Sequence, residues 1–597
     1  MYTRIQFLLA LPITLACDKA SLNTTNVTYG VIDDGRSKRS TSWDWIRIEL
    51  YYDESVEALA SEKLMILKRL ISQARDYFED TIKVERVRTL QLQPECSGGT
   101  YVRNKDFVKC GTDCIPGCGT AVAPVNTKIF VKCKCENRQC LTNFEEYVGT
   151  LNYADFILFV AIREGICDEH TLAYASRCSL HPVTKRPISG YVNICPYSFG
   201  KMQRNEMTRW LSMIKHELVH AFVFSVSHFT NFIGAKPATQ HKPLPIVPGV
   251  IEKFTRDDWE VSGGKISHDV YMIVTPKVRE EARKHFGCPT LEGAEVENQG
   301  GTGTAGSHWE KRVFENEALT GVATQVYALS RLTLALFEDS GWYQVNYDKA
   351  ENMTWGKGLG CDFAKKSCLS WMKGSKDPYP FCTRALDMRC NADRKSKVSC
   401  NMIRRNEDLP KEYDYNIPKL YKDHKNRKVI AQGGEMVADY CPYYRVFGQI
   451  SKEATDTRCT YSGNMYYNNY SLEIFSRSAR CFSLHKGVKV RKKIRTTTYH
   501  LNVGCYETSC KENLLHVKVQ SSKFYPCYYT GQFVHVEKHV LGVGKVKIRI
   551  ICPPCHEICG TNCSAEKKHK NKIGDYKGIS CSLGVLSCLI VLLLFYS

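Results

Sequence analysis

The chain has 597 residues, 43% of them hydrophobic and 24% charged, which excludes a mostly disordered or fibrous protein. That length exceeds what one core comfortably holds, so several domains are expected. Lysine and arginine number 82 against 62 aspartates and glutamates, but the excess is scattered, with dense runs only at 486–495 and 567–572. Such runs read as solvated faces, and the excess suits anionic glycans or a membrane surface rather than nucleic acid.

Residues 1–16 carry Arg4, an apolar stretch and a Thr14-x-Ala16 cleavage site, the pattern of a signal peptide too short to span a bilayer. Arg36-Ser37-Lys38-Arg39 is a dibasic processing site, which marks 17–39 as a short pro-segment. Residues 45–52 alternate like a half-buried strand, and 54–81 space apolar residues by three and four as an amphipathic helix does. Residues 96–140 hold seven cysteines, and 156–162 (FILFVAI) reads as a fully buried strand. A second helix is expected over about 205–226, with Met207, Trp210, Leu211, Ile214 and Leu218 on its apolar stripe. Residues 235–306 read as long and irregular, which points to function or an insertion. Mixed strands and helices give an α+β class. The expected boundaries divide 40–225, 226–365 and a cysteine-rich part over 366–575.

Residues 579–597 are uncharged and resemble either the removable tail of a lipid-anchored protein or a single anchor helix. There are 29 cysteines; setting aside Cys17 and the tail's Cys581 and Cys588 leaves 26, an even set suited to disulfides. Cys552, Cys555, Cys559 and Cys563 are read the same way, not as a zinc cluster. Sequons at Asn23, Asn26, Asn352, Asn469 and Asn562 agree with export.

The chemistry sits in His216-Glu217-Leu218-Val219-His220. Four residues apart on a helix, the two imidazoles stand one turn above the other and can share one zinc, with Glu217 beside them as general base. A catalytic zinc needs a third protein ligand. In the compact pattern H-E-x-x-H-x-x-G-x-x-H it would fall on Val226, and His228 is two residues out of phase. Glu252 and Glu260 are weak downstream candidates. His308 in Gly306-Ser307-His308-Trp309-Glu310 fits better, because the glycine-rich run 300–306 can bring backbone close to a metal. That run also spells G-x-G-x-x-G, without the preceding strand that a dinucleotide site requires.

HELVHAF with a distant GSHWE resembles leishmanolysin and the invadolysin-like peptidases, a metzincin branch with an insertion between the second and third ligands. The resemblance extends to Thr171–Cys178 and 186–196 upstream, and to 334–343, Trp355-Gly356, Gly360-Cys361 and Asp439-Tyr440-Cys441-Pro442 downstream. It covers roughly 45–530. It implies a metzincin-like catalytic domain with a long zinc helix, followed by a disulfide-rich domain. It also implies a zinc endopeptidase of protein or peptide substrates, with His216, His220 and His308 holding one zinc per chain and Glu217 as base.

Three departures stand out. The family's glycine after the second histidine is Val223, its methionine beneath the metal aligns with Leu319, and its pro-segment cysteine motif is absent, leaving only Cys17 as a latency thiolate. The first two, with the basic charge, motivate an alternative, a catalytically weakened adhesion or glycan-binding protein. The apolar run after His220 predicts that the helix continues at least one turn past Val223.

Overall fold

A computed structural model describes most of residues 28–563. Residues 1–27, 33–42, 144–150, 447–456, 465–470 and 564–597, with shorter stretches, lie outside the described set. The expected signal peptide and apolar tail therefore fall outside it, as do four of the five sequons; Asn352 is described and exposed. Of the expected pro-segment only Thr28–Tyr29 and Val31–Ile32 are described, short strands paired with Ser179–Leu180 and with Leu90–Gln91.

The first half is built on a four-stranded mixed sheet. Strand β1 (Ile48–Tyr52) leads to helix α1 (Ser61–Glu79), followed by β2 (Phe156–Ala161), β3 (Ala173–Arg177) and β4 (Ser189–Ile194). Their order is β3-β4-β2-β1, with β2 parallel to both β1 and β4 and β3 antiparallel to β4. Every residue of β2 and β4 is buried. That explains the continuous apolar run of β2, since a central strand covered on both faces need not alternate. Helix α1 buries Leu67, Leu70, Ile71, Ala74 and Phe78 at the offsets its sequence shows.

Helix α2 (Met207–Phe222) lies on this sheet. Its approach depends on Gly190 in β4, where an added Cβ would come within 3.1 Å of the Ala221 Cβ and 2.9 Å of the Ser176 carbonyl oxygen. Phe222 then packs on Phe156 and Phe78, with ring centroids 4.6 and 5.1 Å apart.

Residues 235–306, expected to be irregular, contain an ordered hairpin and helix. Strands β5 (Ile251–Val261) and β6 (Gly264–Ile273) pair antiparallel, helix α3 (Pro276–Phe286) comes next, and β7 (Ala294–Val296) adds to β6. The outward positions of β5 are nearly all charged, so the strand lacked the apolar density that marks the others. One apolar core runs from Ile46 to Tyr443 and is continuous through residues 225 and 365, so the segments expected on either side of those positions share it. It includes helix α4 (Arg331–Asp339).

A second core lies under an eight-stranded antiparallel sheet. Its strands are β8 (Ala479–Leu484), β9 (Val488–Lys492), β10 (Arg495–Tyr499), β11 (Val503–Lys511), β12 (Leu514–Lys518), β13 (Tyr525–Cys527), β14 (Phe533–Val540) and β15 (Gly544–Ile551). The order is β10-β9-β15-β8-β11-β12-β13, with β14 paired to β15.

Disulfides lace both parts. Cys118–Cys178 and Cys167–Cys195 tie the first sheet, while Cys288–Cys361 and Cys368–Cys441 fasten the insertion and the segment C-terminal to it. Near the end of the described chain, Cys552 pairs with Cys527, Cys555 with Cys563 and Cys559 with Cys510, so these sulfurs are bonded in disulfides as expected.

Candidate metal centre

His216 and His220 project from the same face of α2, and the chain returns His308 to them from beyond the hairpin. The Nε2 atoms of His216 and His220 are 3.0 Å apart, and those of His216 and His308 are 3.3 Å apart. All three rings are buried.

The opposite nitrogen of each ring is committed to a backbone carbonyl, which can only accept. His216 Nδ1 donates to Ala318 O at 2.6 Å, His220 Nδ1 to Phe224 O at 2.8 Å, and His308 Nδ1 to Thr304 O at 2.9 Å. Each Nδ1 therefore carries the proton, and each Nε2 presents a lone pair. Three acceptors facing one point have no proton to share, and a cation is what they fit. Two ligands at about 2.0–2.1 Å from a tetrahedral zinc stand ~3.3 Å apart, which matches these separations. Burial, and then the neighbouring rings, hold His216 and His308 well below the ordinary imidazole range; burial brings His220 down to about 4. The rings thus stay neutral, the form that binds metal.

Glu217 is fully buried on the same turn of α2, next to His216 and three residues before His220. His228 is not brought to the triad. It is buried on a short turn over Val226–Phe229, with its ring 5.7 Å from that of Trp342. Glu252 accepts from the Gly249 amide, and Glu260 binds Ser370 and Lys373, so both carboxylates are occupied elsewhere. Val226 supplies packing: an added Cβ on Gly306, whose φ is +79°, would lie 2.7 Å from the Val226 Cγ2. Glycine is required there for both space and conformation, two residues before His308.

Helix α2 ends at Phe222, one turn short of the predicted continuation. Val223 has φ −152° and ψ −41°, so the helix breaks without a left-handed residue. The Phe224 amide bonds back to Val219 O at 3.0 Å, and this turn aims the Phe224 carbonyl at His220. The helix end is marked by the hydrogen bond from the His220 ring to the Phe224 carbonyl, which apolar periodicity does not register.

Sequence reasoning also missed Glu317. Its buried carboxylate accepts from the amides of Leu319 and Ser330 and from the hydroxyls of Ser330 and Thr333, at 2.5–3.1 Å. It thereby fixes the turn whose Ala318 carbonyl holds His216. Leu319 is buried in the same turn and its carbonyl accepts from the Trp309 amide at 2.9 Å. Beyond Trp309, Arg312 is buried between Glu295 and Asp439, with nitrogen–oxygen distances of 2.7–2.9 Å. This anchors the segment that follows His308 to the Asp439-Tyr440-Cys441 segment. The one buried cation is shared by two buried carboxylates, so removing the guanidinium would leave both without a counter-charge.

A buried His-x-x-x-His pair on a helix, a third histidine returned by an insertion and an adjacent glutamate define a metallopeptidase. The family model described as leishmanolysin matches residues 122–565. Leishmanolysin-like peptidases of Caenorhabditis briggsae and Drosophila melanogaster are 36% and 35% identical to the chain, covering 89% and 88% of it and 85% and 81% of their own lengths. The leishmanolysin of Leishmania chagasi is 28% identical over 72% of this chain and 63% of its own. The chain belongs to the leishmanolysin family of metallopeptidases.

Proposed function

We propose that the chain is a zinc-dependent endopeptidase acting on extracellular or surface proteins, with one zinc on His216, His220 and His308. The observation that carries this is the convergence of three unprotonated, buried Nε2 atoms, each fixed by a carbonyl behind it. When bound, zinc supplies Lewis acidity toward the scissile carbonyl and makes water a nucleophile near neutral pH. Glu217 takes the proton of the attacking water and returns it to the leaving amine nitrogen. Its burial keeps that carboxylate away from bulk solvent, where it would exchange protons freely. The Nδ1 hydrogen bonds hold the three rings in one orientation and one tautomer.

The oxidised cysteines support export, as disulfides persist outside the reducing cytosol. We read residues 1–16 as the signal peptide, 17–39 as a pro-segment lying over the cleft, and 579–597 as a lipid-anchor signal or anchor helix. The divisions 40–225, 226–365 and 366–575 are retained as functional segments. The alternative of a weakened adhesion or glycan-binding protein rested on the basic charge and on two residues, Val223 and Leu319. Neither argues for it in the fold: Val223 needs no left-handed turn, and Leu319 fills a packed turn behind His216.

The test is hydrolysis of a generic protein substrate by protein starting at Ser40, with a chelator and after zinc is restored. Loss and recovery of cleavage is the expected result. Cleavage indifferent to both treatments would overturn the reading.

A further inference from the structure

Over β9, β14 and β15 the sheet of the C-terminal part has one face on its core and one in solvent, whereas at β8 and β11 the outer face is covered by a cluster that includes Phe475, Cys481 and Cys505. Val488, Val490, Val534, Val536, Val546, Ile548 and Ile550 point inward. Period-two alternation sends the residues between them outward. Cross-strand register then aligns these in rows. His539 lies opposite Lys545, which lies opposite Arg491, which lies opposite Thr496. One step along, Glu537, Lys547 and Lys489 form a second row, and His535 with Arg549 begins a third. Lys489, Arg491, Lys545 and Lys547 are exposed and Arg549 is half-exposed. At strand spacings of about 4.8 Å and a two-residue rise of about 6.7 Å, five cations occupy one flat patch. The only carboxylate among the aligned residues is Glu537, which binds both Lys545 and Lys547.

A second feature adjoins the charges. Phe533 is 42% exposed, on the same side of β14 as His535, and its ring lies 4.8 Å from that of His485. His485 donates its amide to the Arg549 carbonyl at 2.9 Å, which places this aromatic pair at the end of the cationic rows. Flat rings beside fixed cations suit a ligand that has both anionic groups and apolar sugar faces. A lipid surface would instead call for apolar side chains between the charges, and the aligned rows have none.

We propose that this face, carried by Lys489, Arg491, Lys545, Lys547 and Arg549 with Phe533 at its edge, binds linear sulfated or carboxylated polysaccharide. It would hold the enzyme on an anionic glycan away from its catalytic centre. This rests on the reading of the chain as an exported protein and is independent of the peptidase chemistry.

The test uses the full processed chain and heparin oligosaccharide as the probe, with affinity measured by calorimetry at ~0.15 M and ~0.5 M salt. Binding that weakens with salt is expected, since exposed charges are screened over about 8 Å at the lower ionic strength. Replacing Lys489, Arg491 and Lys547 by Gln should lower affinity at least ~10-fold, with zinc content and hydrolysis of a soluble peptide unchanged. Glu537→Gln should raise affinity, because it frees two lysines; a merely solvated face gives no such gain. Phe533→Ala should weaken oligosaccharide binding more than binding of inorganic sulfate. The proposal is overturned if the triple variant binds as the parent does. It is equally overturned if the loss follows the 567–572 run instead, or if phosphatidylserine vesicles bind this face and heparin does not.

Discussion

The His216 ring donates to the carbonyl oxygen of Ala318 at 2.6 Å, across 102 residues of sequence. That carbonyl is presented by a turn whose neighbour, Glu317, gathers four hydrogen bonds from Leu319, Ser330 and Thr333. Glu317 therefore positions the His216 ring, which it does not touch. Glu317→Gln should keep the fold and lower zinc affinity by roughly 10–100-fold, the usual cost of losing such outer support. Competition against a fluorescent chelator measures this. Unchanged affinity would mean that the turn is held by packing alone.

The third ligand is separable from its nearest rival. His308→Ala should abolish stoichiometric zinc, measured by elemental analysis, because two histidines remain where three converge. His228→Ala should retain one zinc per chain, since that ring packs on Trp342 outside the triad. The reverse pattern would overturn the ligand set.

Removing the base should leave the metal in place. Glu217→Ala is expected to bind zinc as the parent does and to lose at least ~10²-fold in turnover, the low end for a missing general base. Persistent turnover would exclude Glu217 from proton transfer.

Several buried histidines make the metal-free protein sensitive to acid. Burial holds both His220 and His285 at about 4, while an unfolded imidazole titrates near 6.5. A depressed pKa means the unfolded chain binds protons first. Stability is thus fully present above about pH 6.5 and falls as pH drops toward 4, by up to ~1.4 kcal/mol per pH unit for each group. Thermal unfolding of the metal-free protein between pH 7.5 and 4.5 checks this. His285→Gln, which keeps a donor for the Trp355 carbonyl, should flatten part of the slope.

The parts legible in the sequence were those set by local spacing. The pair His216 and His220 on one helical face, the apolar stripe of α1 and the buried run in β2 each come from periodicity within a few residues. His308 was legible through the glycine run before it, which has a physical reason in the close pass of Gly306 over Val226. The supports were not legible. Ala318, Phe224 and Thr304 act through backbone carbonyls, which carry no residue-type signal. Glu317 acts on partners 13 and 16 residues away that only the fold brings near. The strand over Ile251–Val261 was hidden because its outward residues are mostly charged and its inward ones sparse.

Val223 joins both kinds of evidence, since its sequence predicted a continuing helix and the structure ends the helix there. Its φ of −152° is open to any residue, so valine carries no left-handed strain, and its side chain is wholly buried in the main core. Had the helix continued, Val223→Gly would have cost about 1 kcal/mol, the helix-interior penalty of glycine. At the observed position the cost has two parts. Deleting a buried valine side chain forfeits about 1.5–3 kcal/mol, and glycine's extra unfolded freedom adds roughly 0.5–1. The variant should therefore be destabilised by about 2–4 kcal/mol in denaturant unfolding of the zinc-bound protein. Because Phe224 is the next residue and its carbonyl holds His220 Nδ1, zinc should also bind more weakly. A stability loss near 1 kcal/mol with unchanged zinc affinity would fit the continuing helix, and a gain in stability would mean that the residue is strained after all.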